Sequence, residues 1–205
     1  MTVVLGIYAL VVIFLTRAEF KQNRRLQVWF KPLAALFFIL IAILGGAIYW
    51  EYGVWVLWAL FACAIGDVML LARNSPAKFK IGMAAFAIGH ILYIIAFVRI
   101  GNWSGVKIWG ALAALAAAGY LIWIWAKLPK DMKIPVLLYT TIIVVMVLRS
   151  LDVPLWFVPI AAILFAISDM FVAKDRFVKE DPVNALAITP LYFGAQGLFA
   201  ISAWI

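Results

Sequence analysis

Two acidic residues stand where acids are costly. Asp67 lies in AIGDVMLLA (residues 64–72) and Asp169 in AISDMFVA (residues 166–173), each inside an apolar run, whereas the other seven of the nine acidic residues fall in loops or near run ends, where water can solvate them. A carboxylate near the middle of a bilayer costs about 2.5–3.5 kcal/mol on insertion, so both are expected to face a bundle interior and find partners there. Asp67 precedes Arg73 by six residues and Asp169 precedes Lys174 by five. At about 1.5 Å per helical residue, each therefore lies roughly 7–9 Å below the basic boundary of its helix. Matched depth favours one shared polar pocket; the alternative is that each acid bonds a neighbouring helix or reaches the loop cations. Two carboxyls in one dry pocket do not both ionise readily at neutral pH. The protonated one can donate to a substrate while the ionised one accepts from water, which is what general acid–base hydrolysis requires. A proton-relay transporter of a small or lipid-like solute needs the same pair, and these residues alone do not choose between the two.

Other polar residues inside apolar runs could line such a pocket or serve as glue between helices. His90 lies in FAIGHILYIIAF, with Tyr93 three residues on and nearly on the same face; an interhelical hydrogen bond and a place in the pocket wall are both open to it. In the last run, Thr189, Tyr192 and Gln196 share one helical stripe, with Asn184 before them. Tyr139, Thr140 and Thr141 give a weaker signal of the same kind. Cys63 and His90 are the only Cys and His, too few for an internal disulfide and short of a zinc shell unless several carboxylates join, so no metal is expected.

The elements that must hold these residues follow from composition. Of 205 residues 68% are hydrophobic and 13% charged, with a mean hydropathy of +1.12, which excludes a soluble domain. The length therefore counts membrane spans. Apolar runs near 2–16, 32–50, 54–72, 81–98, 108–126, 134–148, 153–173 and 183–205 predict an all-α, polytopic bundle of eight transmembrane helices in one domain, residues 1–205. Tyr49, Trp50, Tyr52 and Trp55, clustered around Glu51 and Gly53, mark an interfacial aromatic belt at a tight turn. The opening run has no basic residue before it and no small-residue cleavage site after it, so it reads as a span and not as a removed signal peptide.

The net charge of +8 is mainly topological. Fourteen of the 17 Lys and Arg lie in alternate loops: Arg17, Lys21, Arg24, Arg25 and Lys31; Arg73, Lys78 and Lys80; Lys127, Lys130 and Lys133; Lys174, Arg176 and Lys179. The opposite loops hold only Arg99, Lys107 and Arg149, which places both termini away from the cytoplasm and, in a bacterium, the chain in the inner membrane. Contact with anionic lipid headgroups is the expected use of these charges; no aromatic and basic module for nucleic acid accompanies them. Asp67 and Asp169 are 102 positions apart, half the chain, and the same offset joins Lys31 to Lys133, with Pro32 and Pro135 opening the second and sixth helices one residue out of step. Two parallel four-helix halves, 1–102 and 103–205, would place both acids at the same end; the alternative is a chance recurrence of short apolar strings.

In this order and topology the motifs resemble the YhhN-like lysoplasmalogenase family of integral membrane hydrolases. The resemblance is carried by Lys31-Pro32, Gly66-Asp67 with Leu70, then Gly82, Phe86, His90 and Tyr93, then Phe165, Ser168 and Asp169, and finally Tyr192 and Gln196. Leu191 departs from it, standing where the family often has a second Tyr, which bears on pocket shape and headgroup preference. The resemblance implies hydrolysis of the vinyl ether of a lysoplasmalogen to a fatty aldehyde and a glycerophospho-base, with a lysophospholipid substrate, membrane lipids around it and no metal or cofactor needed. Under that reading Asp67 and Asp169 are the acid and the base in an order left open. His90, Tyr93, Ser168, Tyr192 and Gln196 orient the pair or the water, and Lys31 meets the lipid phosphate.

Overall fold

A computed structural model describes residues 1–72, 75–102 and 108–204. Among them are eight α-helices: α1 (Thr2–Phe20), α2 (Arg24–Leu44), α3 (Glu51–Leu70), α4 (Pro76–Ile100), α5 (Ile108–Trp125), α6 (Lys133–Ser150), α7 (Phe157–Phe177) and α8 (Ala185–Ser202). Seven are long and apolar enough to cross a membrane, and the apolar stretch of α5, Gly110–Trp125, is shorter. The chain is an integral, multi-pass membrane protein. Its outer faces agree: Trp29, Leu115, Ile122 and Trp156 are each more than two-thirds exposed, a surface that lipid covers and water would not.

The turns follow local chemistry. Asn23 caps α2 by accepting a hydrogen bond from the Leu26 amide at 3.3 Å, and Ser75 caps α4 through the Lys78 amide at 3.3 Å. The aromatic-belt turn is a real break: Gly46 takes φ +89°, which a side chain would oppose, a short 3-10 turn covers Ala47–Tyr49, and α3 starts at Glu51. One expectation fails here. Pro32 does not open the second helix; it lies inside α2, eight residues after Arg24, whereas Pro135 does sit in the first turn of α6. Hydropathy marks where the chain leaves lipid, but the hydrogen-bond ladder of α2 runs on through the charged Arg24–Lys31 stretch because Asn23 caps it. Of the charges that set the expected topology, Arg73 and Lys107 lie outside the described residues.

Helix α8 runs through the middle of the bundle, burying Thr189, Tyr192, Phe193, Gln196 and Phe199, and packs on α1, α2, α3 and α7. Helices α3 and α4 form the tightest pair: a Cβ added at Gly89 would come within 2.7 Å of the Cys63 sulfur, so the two backbones approach as only small residues allow. The core is continuous through Phe38, Leu60, Tyr93, Phe97, Phe165 and Phe199. It leaves one end of the bundle, where the basic connections lie, to a polar cluster.

Candidate active site

Asp67, in the last turns of α3, and Asp169, late in α7, both line one cavity of about 340 Å³. Its remaining wall is almost wholly apolar, with Phe86 from α4, Ala113 and Ala117 from α5, Ile143 from α6 and Ile163 from α7. The expectation of two acids meeting in one pocket is met in geometry. A second cavity, of about 390 Å³, lies toward the basic end and is lined by charges of both signs: Arg24, Lys31, Arg176 and Lys179 with Glu19, Asp175, Glu180 and Asp181. Lys31, Leu70, Phe79, Val172, Phe177 and Ile188 belong to both walls, so a charged vestibule adjoins a greasy chamber at Lys31.

Each acid has its own partners. Tyr192 donates to Asp67 Oδ2 at 2.7 Å, and Lys31 Nζ stands 4.0 Å from Oδ1. Behind Tyr192 runs a one-way chain: Tyr93 donates to Gln196 Oε1 at 2.7 Å, and Gln196 Nε2 donates to the Tyr192 hydroxyl at 3.0 Å. The carboxylate of Asp67 is the terminal acceptor, which fixes the direction of every bond before it. Tyr139 donates to Asp169 Oδ2 at 2.6 Å, and His90 Nε2 is 4.0 Å from the same oxygen.

His90 is fully buried, and its Nδ1 bonds the Phe86 carbonyl of its own helix, so the interhelical hydrogen bond that its position allowed is not made there. A carbonyl only accepts, so Nδ1 carries the hydrogen, and Nε2 presents a lone pair toward Asp169. Nε2 is the only buried side-chain nitrogen or oxygen among the described residues without a hydrogen-bond partner.

The residues expected at the site divide into three groups. Asp67, Asp169, Lys31, Tyr192 and Ser168 line the chamber; Ser168 spends its hydroxyl on the Ile188 carbonyl of α8 at 3.1 Å. Tyr93 and Gln196 stand behind the wall and reach it only through Tyr192. His90 stands beside Asp169 alone, its Nε2 4.0 Å from Oδ2.

Two participants were underrated. Tyr139, given with Thr140 and Thr141 as a weaker signal than the last helix, is a direct partner of Asp169. Glu19 is the larger correction: read as a solvated helix-end acid, it is 7% exposed, accepts a hydrogen bond from Thr189 and pairs with Lys31 at 3.4 Å. Both of its partners come from other helices, so burial at a helix end could not be read locally. Its only sequence signal is an acid on the same face as Leu15, three to four residues from the end of an apolar run.

The arrangement sets two carboxyls, each able to hold or release a proton, in one largely apolar chamber, with the Lys31 cation 4.0 Å from Asp67. The model of the YhhN family matches residues 26–203 of the chain. The chain belongs to the YhhN family. It is 36% identical over 148 residues to lysoplasmalogenase TMEM86B of Homo sapiens, covering 71% of this chain and 61% of that protein. To the Rattus norvegicus protein of the same name it is 32% identical over 177 residues, covering 84% and 70%. To the lysoplasmalogenase of Mycobacterium tuberculosis it is 30% identical over 150 residues, covering 69% and 57%. The chain thus spans about 61% of the length of the human relative. No solved structure matches it. The family match starts after Glu19, so that residue lies outside the part of the chain that defines the family.

Proposed function

We propose that the protein is a lysoplasmalogenase, hydrolysing the vinyl ether of a lysophospholipid to a fatty aldehyde and a glycerophospho-base with Asp67 and Asp169 as its acid–base pair. The observation that carries the reading is the joint cavity: two carboxyls from α3 and α7 on the wall of an apolar chamber that shares Lys31 with an adjoining charged vestibule. A lysolipid has the matching polarity. Its alkenyl chain fits the apolar chamber, its phosphate falls beside Lys31, and its headgroup occupies the vestibule. The vinyl ether, one glycerol away from the phosphate, then lies beside the acids.

A vinyl ether is an electron-rich alkene. Protonation of its β-carbon gives an oxocarbenium ion, water adds to the cationic carbon, and the hemiacetal collapses to aldehyde and alcohol. An acid lowers the first barrier, and an anion stabilises the cation and takes the proton of the attacking water. Tyr93, Gln196 and Tyr192 position Asp67; Tyr139 and His90 position Asp169; Ser168 holds α7 to α8 beside it. The chain of the substrate reaches the chamber sideways from the bilayer, along the small-residue face of α5 that carries Ala113 and Ala117.

The basic loops support a vestibule at the cytoplasmic face and both termini on the opposite side, with the chain in the inner membrane if it is bacterial. Residues 1–102 and 103–205 are parallel repeats, supported by the recurrence of an acid in the second half of α3 and of α7. Purified protein in detergent is expected to release a long-chain aldehyde from a lysoplasmalogen. Substrate flux across proteoliposomes without product formation would replace the hydrolase with a carrier.

A further inference from the structure

The 102-residue offset that joins Asp67 to Asp169 also joins His90 to Tyr192. These two residues exchange between halves: Tyr192 of the second half meets Asp67 of the first, and His90 of the first half meets Asp169 of the second. Equivalent positions thus present opposite chemistry. Tyr192 offers a hydrogen to Asp67, whereas His90, its Nδ1 hydrogen committed to the Phe86 carbonyl, turns toward Asp169, 4.0 Å away, a lone pair that has no hydrogen-bond partner. The lysines diverge in the same sense. Lys31 stands 4.0 Å from Asp67 and is fixed from behind by Glu19, while its equivalent, Lys133, lies over the Trp125 ring at 5.3 Å.

Resting on the lysoplasmalogenase reading above, we propose that the two carboxyls have fixed and different roles, Asp67 as the anion and Asp169 as the proton donor. An anion in a dry pocket needs donors and a cation, and Asp67 has Tyr192 and Lys31. A protonated carboxyl is favoured by a nearby acceptor, and the lone pair of His90 Nε2 stands 4.0 Å from Asp169 Oδ2, too far for a hydrogen bond as placed, while Tyr139 donates to that oxygen at 2.6 Å. Access agrees with the roles: the Asp169 side chain is 17% exposed and that of Asp67 2%, so the group that must touch substrate carbon is the more open one.

The proton balance closes over the cycle. The Asp169 O–H proton passes to the β-carbon, the alkene π pair forming the new C–H bond, and the ether oxygen stabilises the resulting cation. Water adds through its oxygen, and its proton passes to the Asp67 carboxylate. In the collapse, the C–O bond to glycerol breaks with its electron pair on the glycerol oxygen, which takes the proton from Asp67. The hemiacetal hydroxyl returns its proton to Asp169 as the carbonyl forms. One water is consumed, and both carboxyls are reset.

Azide separates the roles, because it can replace a missing anion by capturing the cation but does not replace a positioned acid. Wild-type protein is first shown to release aldehyde; its failure to do so overturns the reading and the assignment together. Asp67→Ala and Asp169→Ala, each checked by thermal melting, are then incubated with lysoplasmalogen and azide, and the products are read by mass spectrometry. The 1-azidoalkyl ether, substrate plus one HN₃, is expected from Asp67→Ala and not from Asp169→Ala. If Asp67→Ala does not fold, Asp67→Ser, which keeps a partner for Tyr192, takes its place. With wild-type activity established, the adduct from Asp169→Ala, from both variants or from neither overturns the assignment and leaves the hydrolase reading standing.

Discussion

Replacing Tyr192 with Phe removes one oxygen from the hydrogen-bond chain and nothing from the packing. The ring stays in its edge-on contacts with Phe86, Phe165 and Phe193, at centroid distances of 5.7, 5.3 and 4.7 Å, while Asp67 Oδ2 loses its 2.7 Å donor and Gln196 Nε2 loses its acceptor. A hydrogen bond to a charged group contributes about 1.5–3 kcal/mol. At 1.36 kcal/mol per decade, that is a loss of about 10- to 150-fold in kcat/KM if the bond is fully felt in the transition state. Tyr93→Phe removes a bond between neutral groups two steps further out, worth about 0.5–1.5 kcal/mol, so its loss should stay below about tenfold. Aldehyde release from a lysoplasmalogen in detergent micelles measures both, with melting temperatures alongside to separate chemistry from unfolding. Full activity in Tyr192→Phe, or an equal loss in Tyr93→Phe, would refute a chain that works by ending on the carboxylate of Asp67.

Three further outcomes test the surroundings of the pair. Glu19→Gln leaves Lys31 without its nearest anion, at 3.4 Å, and is expected to lower kcat/KM several-fold; combined with Lys31→Gln it should cost no more than Lys31→Gln alone, a non-additivity that a double-mutant cycle measures. In Gly66→Ala the new Cβ would come within 2.7–2.9 Å of the Phe86 ring, which has α4, Phe165 and Tyr192 around it, so destabilisation of about 1–3 kcal/mol should appear as a lowered melting temperature together with weakened catalysis. Ala117→Leu fills the chamber from α5, substituting no residue of either acid's hydrogen bonds, and is expected to shift preference toward shorter alkenyl chains; an unchanged chain-length profile would move the lipid chain elsewhere.

What could be read from residues alone was the part written in local pattern. Eight apolar runs become eight helices because each must satisfy its own backbone in lipid, and two acids in such runs stand out because nothing solvates them there. Helix ends were less legible. Pro32 read as a start because charge ends the apolar run at Lys31, yet α2 begins eight residues before it, at Arg24. The shape of the site was least legible, since its bonds join distant positions: Tyr192 to Asp67, Tyr139 to Asp169, Thr189 to Glu19. Glu19 carries the clearest lesson. An acid one residue from the end of α1 reads as solvated until α8 covers it with Thr189 and α2 brings Lys31 across. The stripe of Thr189, Tyr192 and Gln196 was legible as a stripe, but which acid each residue served was not.

The most direct measurement is aldehyde release by wild type, Asp67→Asn, Asp169→Asn and the double variant under one set of conditions, with all four shown to be folded. If the two carboxyls work as one machine, each single variant should lose about 10²–10⁴-fold, and the double should lose no more than the worse single. Near-wild-type release by either folded single variant would contradict the paired-acid site.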